Sequence, residues 1–203
     1  PAVDAQRLGD WLAQQGESPA AIDGFWDLLV RPTLNAPARE ASLALSAFVF
    51  QEGLLRSPGA GDVGIPSVPL DRLHAEPAAQ VLREAGVEVA TRCRIDAIEA
   101  AAQGVVAVRA GGARLVADAV IVACDHEAAA KLLPAEAGVD RGALEGLGRA
   151  PIVNLHVVFD RPVLPWPFAA AIGSPLQWIF DRSAAQKGLG SSQYLAVSLS
   201  AAD

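Results

Sequence analysis

The chain has 203 residues, 52% of them hydrophobic and 19% charged, with a net charge of −7. Such a composition can bury a sizeable core and excludes a disordered segment. With no basic stripe to displace counterions from a phosphate backbone, no nucleic-acid partner is expected.

Residues 1–65 read as helical. Ser18 before Pro19 is a cap followed by proline in the first turn. The run Ala21 to Val30 follows, and Pro32 is expected to end that helix. Asn35 and Pro37 open a second helix over about residues 38–55, where Leu45, Phe48, Val49 and Glu52 fall near helical spacing. Ser57 to Asp62 is a loop.

Residues 66–133 change character. Leu70 to Ala85 is predicted helical with a break or kink at Pro77, and Gly86 terminates it. Short strands follow at Val87–Val89, Arg94–Glu99, Val105–Arg109 and Arg114–Val116, with turns at Gln103-Gly104 and Gly111-Gly112. The unbroken apolar run Ala119 to Ala123 suits a strand covered on both faces, as in a parallel sheet. Asp125 is placed to cap a helix from Glu127 to Leu133.

Residues 134–203 are predicted to be mostly β. Ile152–Phe159, Leu176–Phe180 and Tyr194–Leu199 alternate as strands do. Pro162, Pro165 and Pro167 prevent regular structure in the link between the first two.

The richest apolar run, Ala41 to Phe50, is too short for the roughly 20 residues of a membrane span and contains Ser42 and Ser46. Pro1 to Asp4 carries no export signal. Cys93 and Cys124 form no CxxC and no disulfide framework, so a reducing, cytoplasmic setting is expected. A start at proline and the lack of methionine suit a piece of a longer protein.

Few motifs carry chemistry. Gly59-Ala60-Gly61-Asp62-Val63-Gly64 spells GxGxxG, but a helical end precedes it and Pro66 and Pro69 follow it. A phosphate loop needs a strand before and a helix after, so a plain loop is expected. His74, His126 and His156 lie far apart without metal-ligand spacing, and no metal site is expected. His74 and His126 are expected to be surface helix residues. His156 shares a strand face with Asn154 and Val158, and reads as a satisfied, half-buried histidine that also could line a cavity. No GxSxG elbow occurs. Aromatic residues gather at Phe25 and Trp26, and again at Trp166, Phe168, Trp178 and Phe180. Core packing accounts for each one singly, while the set suits an apolar pocket.

Spaced blocks carry a family likeness. Pro69-Leu70, Pro77-Ala78-Ala79, Gly86-Val87-Glu88-Val89, Ile95, Ile98, Gly104-Val105 and Ala117 to Ala123 resemble the middle of the FAD domain in the amine oxidase and phytoene desaturase superfamily. Phe25-Trp26-Asp27, Pro32-Thr33-Leu34-Asn35, Glu40-Ala41-Ser42 and Gln177 to Arg182 are similar to its squalene-associated branch, the hydroxysqualene dehydroxylases. The resemblance implies a mixed α+β fold: part of an FAD-binding domain (66–133), and a substrate domain with a helical part (1–65) and a β-rich part (134–203) in which helices lie on a mainly antiparallel sheet. It implies FAD as cofactor. Ile95 matches the position whose backbone contacts the adenine, and Cys124 follows the strand that comes near the flavin. No catalytic residue transfers by motif.

Family members carry a true GxGxxG with an acidic ribose-binding residue upstream of these blocks and a second glycine-rich flavin block downstream. Neither is present here. The chain is therefore expected to be an internal piece that by itself is inactive and binds FAD poorly or not at all. The parent is expected to be an FAD-dependent oxidoreductase acting on a long isoprenoid, with Phe25, Trp26, Asn35 and Trp178 lining an apolar tunnel. The expected reaction is conversion of hydroxysqualene to squalene. An amine or carotenoid oxidase of the same fold and a non-catalytic apolar-ligand-binding domain are the alternatives. Peripheral contact with the inner face of the membrane follows from such a substrate, and exposed apolar surface favours a homodimer.

Overall fold

Ser18 does cap the first long helical run in the computed structural model, which describes residues 5–100, 106–186 and 188–202. Its hydroxyl accepts the Ala21 amide at 3.1 Å. In chain order the elements are α1 (Leu8–Gln14), α2 (Pro19–Ala21), a π-helical turn (Ile22–Trp26), α3 (Asp27–Leu34), α4 (Leu43–Phe50), further π-helical turns at Gln51–Leu55 and Asp71–Ala75, and α5 (Glu76–Glu84). Strands β1 (Ile95–Ala100), β2 (Val106–Ala110) and β3 (Ala113–Ala117) precede α6 (His126–Leu132) and α7 (Arg141–Glu145). Strands β4 (Val153–Phe159), β5 (Phe168–Ala170), β6 (Trp178–Asp181) and β7 (Gln193–Leu199) complete the chain.

Two compact units result, one from residues 1–79 with 150–203 and the other from Gln80–Arg149. One boundary falls inside α5, and the other follows α7 rather than α6.

In the larger unit, Leu8, Leu12, Ile22, Val30, Ala38 and Ala41 form a buried cluster. Trp26, Leu34 and Phe50 pack against it. Gly9 sits where α1 meets the turn before α4. A Cβ there would lie 2.8 Å from the Arg39 Cα, so only glycine permits the approach.

Pro32 does not end its helix. α3 continues to Leu34 and stops at Asn35, which takes the left-handed conformation (φ 52°). The proline leaves the Leu28 carbonyl without its intrahelical donor. The indole N–H of Trp178 donates to that carbonyl at 3.1 Å, so the helix tolerates the proline. The second helix starts at the Ser42 cap, later than the expected residue 38.

Strands β4-β7-β6-β5 form an antiparallel sheet. Buried amide side chains tie loops to it. The Gln193 carbonyl oxygen accepts the Val163 and Leu164 amides at 2.7 and 2.9 Å. Its NH2 donates to the Leu164 carbonyl and to Asp181, both at 2.7 Å. The proline-rich link is thus fixed without regular structure. Burial works to raise the Asp181 carboxyl, but bonds from Ser183 and Gln193 outweigh it and hold it below its ordinary value. Gln177 exchanges two bonds with the backbone of Ser200, each 2.8 Å.

In the smaller unit, β1, β2 and β3 form an antiparallel meander. Gly111 and Gly112 both have positive φ (56° and 86°), as the two-residue turn between β2 and β3 requires. The predicted Gln103-Gly104 turn and the first residue of the predicted Val105 strand lie outside the described residues. Gly86 closes α5 with the expected left-handed cap: its amide reaches the Arg83 carbonyl and Val87 reaches Leu82. Asp125 caps α6 through the Ala128 amide at 2.9 Å. Asp140 caps α7, a helix absent from the sequence reading.

Two predicted strands are corrected. Val87–Val89 and Ala119–Ala123 are not strands, and Ile121 is 92% exposed. A strand is defined by the ladder beside it, and no described residue pairs with either segment.

Candidate functional site

Strand alternation places Asn154 and His156 of β4, Tyr194, Ala196 and Ser198 of β7, and Trp178 and Phe180 of β6 on one sheet face. The register sets Asn154, Ser198 and Trp178 in one row and His156, Ala196 and Phe180 in the next. The central strand contributes the small side chains, so the face is hollow between larger ones. A cavity of about 560 Å³ lies there, walled by His156, Tyr194, Phe180 and Arg182 and roofed by the loop Val63 to Pro66. A second cavity of about 380 Å³, lined by Trp178, Phe168 and Ile152, shares Val63, Phe180 and Ser198 with the first. Together they make an apolar trough across the sheet.

The polar side chains on the larger cavity's wall are Asn154, His156, Arg182, Gln186, Tyr194 and Ser198. The Tyr194 hydroxyl and His156 Nδ1 are 2.7 Å apart. Tyr194 stands opposite Val158, so it meets His156 on the diagonal of the β4–β7 pair. Arg182 adds a cation, and the described residues lining the larger cavity include no carboxylate.

The sequence-predicted site residues separate. Trp178 lines the trough and stacks on Phe180 with centroids 6.2 Å apart. Trp26 is half-buried and edge-on to both Phe25 and Phe50 at 5.4 Å, as part of the core. Phe25 is 56% exposed. The Asn35 amide is spent on backbone, donating to the Ala150 carbonyl and accepting the Ala201 amide, both at 2.6 Å. Trp166 is exposed, outside the Phe168–Trp178–Phe180 group. His156 lines the trough but is exposed rather than half-buried. Its partner Tyr194 was missed, because the diagonal pairing needs the register.

In the smaller unit Ile95 and Cys124 line the same apolar cavity of about 430 Å³, with Ile98, Val108, Val120 and Leu132. The GxGxxG letters at Gly59 form turns and irregular backbone after a π-helical turn, with no helix behind them, so they supply no phosphate cradle. His126 departs from the surface position expected of it: it is half-buried, and its Nε2 is enclosed without a hydrogen-bond partner among the described residues. His74 is exposed. Among the described residues no three His, Cys, Asp or Glu side chains are grouped to hold a metal.

Comparison with known proteins covers nearly the whole chain. Residues 1–195 match the family described as flavin containing amine oxidoreductase. Hydroxysqualene dehydroxylase of Sinorhizobium fredii (strain NBRC 101917 / NGR234) is 30% identical over 162 residues, covering 75% of this chain and 36% of that protein. A redesigned putrescine oxidase superposes with a TM-score of 0.70 at 15% identity, covering 98% of this chain and 45% of that one. A putative protoporphyrinogen oxidase from Exiguobacterium sp. 255-15 gives 0.67 at 15% identity, with 97% and 46% covered. These structures share the mixed fold of helices and antiparallel sheets. The chain spans under half the length of each of these relatives.

Proposed function

Because this chain belongs to the flavin containing amine oxidoreductase family, we propose that it supplies the substrate trough and part of the cofactor site of an FAD-dependent enzyme acting on a long isoprenoid alcohol. Hydroxysqualene is the proposed substrate, and loss of its hydroxyl to give squalene the proposed reaction. The supporting observation is the trough itself. Its lining is mostly apolar, and among the described residues its larger cavity has Arg182 but no carboxylate. An alkylammonium substrate would leave its charge unpaired there, at a desolvation cost of several kcal/mol (roughly). A hydrocarbon chain with one oxygen is accommodated. The 30% identity to a hydroxysqualene dehydroxylase points the same way.

In the smaller unit, the Ile95 backbone and the chain at Cys124 are the proposed contacts to FAD. A bound flavin would supply two-electron redox chemistry, while the protein's part is to bind the chain, orient it and exclude water. Trp178, Phe168 and Phe180 present flat apolar surface for this purpose. No described helix is long and apolar enough to cross a membrane. Access to such a substrate is proposed to occur by contact with the cytoplasmic membrane surface.

The test is to purify the full-length protein with FAD and supply hydroxysqualene, a carotenoid precursor and an alkylamine in separate reactions. Flavin absorbance and squalene formation are expected. A protein that stays colourless with added FAD, or that turns over only the amine, refutes the proposal.

A further inference from the structure

We propose that the Tyr194–His156 pair is the element that recognises the substrate's hydroxyl group. The inference rests on the isoprenoid-alcohol reading above and adds the atoms that read the alcohol. Within the trough most of the lining is aliphatic or aromatic, and besides Tyr194 and His156 the larger cavity's polar side chains are Asn154, Arg182, Gln186 and Ser198. Asn154 and Ser198 lie in the neighbouring row of the sheet, towards Trp178. The phenol and the imidazole are joined by a 2.7 Å hydrogen bond and their rings lie 5.7 Å apart, tilted by 34°. Each ring is held by its strand, so the pair is preorganised rather than gathered by the ligand.

The chemistry suits a neutral hydroxyl. A phenol both donates and accepts, and an imidazole bonded through Nδ1 keeps Nε2 for a second partner. An alcohol likewise donates once and accepts twice, so it can join the chain of hydrogen bonds without leaving a polar atom unpaired. A hydrocarbon cannot, and it would strip water from both rings without replacing it. An ammonium offers only donors and meets Arg182 on the same cavity wall.

Binding of nerolidol, a tertiary isoprenoid alcohol, is compared with farnesene, its hydrocarbon counterpart, and farnesylamine, using calorimetry on the purified protein. The expected order is alcohol over hydrocarbon by about tenfold, the size of one net hydrogen bond to the half-buried Tyr194, with the amine weakest. Tyr194→Phe removes one oxygen and is expected to abolish the alcohol preference while farnesene affinity is retained or raised, since one polar group fewer is dehydrated. Retained farnesene binding reports that the trough is intact. His156→Gln, which keeps a donor and an acceptor, is expected to retain part of the preference. Nerolidol should also shift the His156 ring nitrogen resonances, and farnesene should not. Equal affinity for alcohol and hydrocarbon, or a preference that survives Tyr194→Phe, overturns the inference. These readouts need no turnover. An enzyme that fails to convert hydroxysqualene yet binds nerolidol through this pair would defeat the functional proposal and leave the present one standing.

Discussion

In the larger unit Leu8, Leu12, Ile22 and Val30 are almost wholly buried, whereas among the described residues of the smaller unit the buried hydrophobic ones are Ala107, Ala110 and Ala130. An alanine methyl removes little area from water, so that depth contributes far less there than a leucine or isoleucine would. Among the described residues the smaller unit's larger apolar side chains are at best half-buried, as Ile98, Val108 and Leu132 are, and Leu115 and Val116 are 58% and 63% exposed. Its order comes from local devices: the Gly86 cap, the Gly111-Gly112 turn, the Asp125 cap and arginine–glutamate pairs across its surface. The larger unit adds long-range polar ties to its core, through Gln193, Gln177, Asn35 and Trp178. One unit is specified by distant residues meeting, the other by neighbours in sequence.

Truncating the largest fully buried side chain should expose this difference most. Leu12 is 1% exposed and belongs to the main cluster. Leu12→Ala is expected to cost about 3 kcal/mol, since a cavity adds to the lost transfer energy. Leu115→Ala, in β3, should stay within about 0.5 kcal/mol. Urea unfolding followed by circular dichroism measures both. Similar costs for the two would dissolve the contrast.

Gln193→Ala comes next. It leaves the Val163 and Leu164 amides, the Leu164 carbonyl and one Asp181 oxygen short of a partner. A loss of about 2 to 3 kcal/mol is expected, reduced to the extent that water enters. Increased amide exchange confined to residues 160–167 would identify the link as what the glutamine holds.

Trp178→Phe is smaller still, about 1 kcal/mol, from the Leu28 carbonyl left without its donor. The account of Pro32 makes a sharper demand. In Pro32→Ala the helix recovers its own donor to Leu28, so the cost of Trp178→Phe should shrink in that background. Additive effects in the double-mutant cycle would show that the indole does not substitute for the missing amide.

The same distinction governs what could be read from the sequence. Ser18, Gly86, the Gly111-Gly112 turn and Asp125 were legible because a cap or tight turn acts within a few residues. Pro32 was misread because the group that excuses it, Trp178, lies 150 residues from the carbonyl it serves. Ala119 to Ala123 had the composition of a strand, but a ladder requires a neighbour that composition does not supply. In the trough, the side of β4 that His156 occupies followed from alternation. Tyr194 did not, since a diagonal contact depends on which residues of two distant strands face each other. Asn35 carried a family likeness, yet its amide serves the backbone of Ala150 and Ala201.

The mildest test is pH, and it addresses the smaller unit. Arg114 and Arg109 stand directly opposite each other on β3 and β2 and would repel. Glu99 on β1 binds both, at 2.8 and 2.5 Å. The hydrogen bonds from Arg114, then Arg109, hold its carboxyl below the ordinary 4.5. The Ala128 amide does the same for Asp125, and Arg149 for Glu127. A carboxyl whose folded value is depressed stabilises fully above its unfolded value, and that contribution disappears as pH falls through the folded one. The smaller unit should therefore loosen as pH drops below about 4.5, the ordinary glutamate value. The effect should be modest because these pairs are exposed, and weaker at high salt. Fluorescence will not see it: Trp11, Trp26, Trp166 and Trp178 all lie in the larger unit. Hydrogen exchange across 95–117 will. Glu99→Gln should flatten the acid dependence of that segment while leaving residues 153–199 unchanged, and an unaltered slope would remove the arginine pair from the account of what holds the meander together.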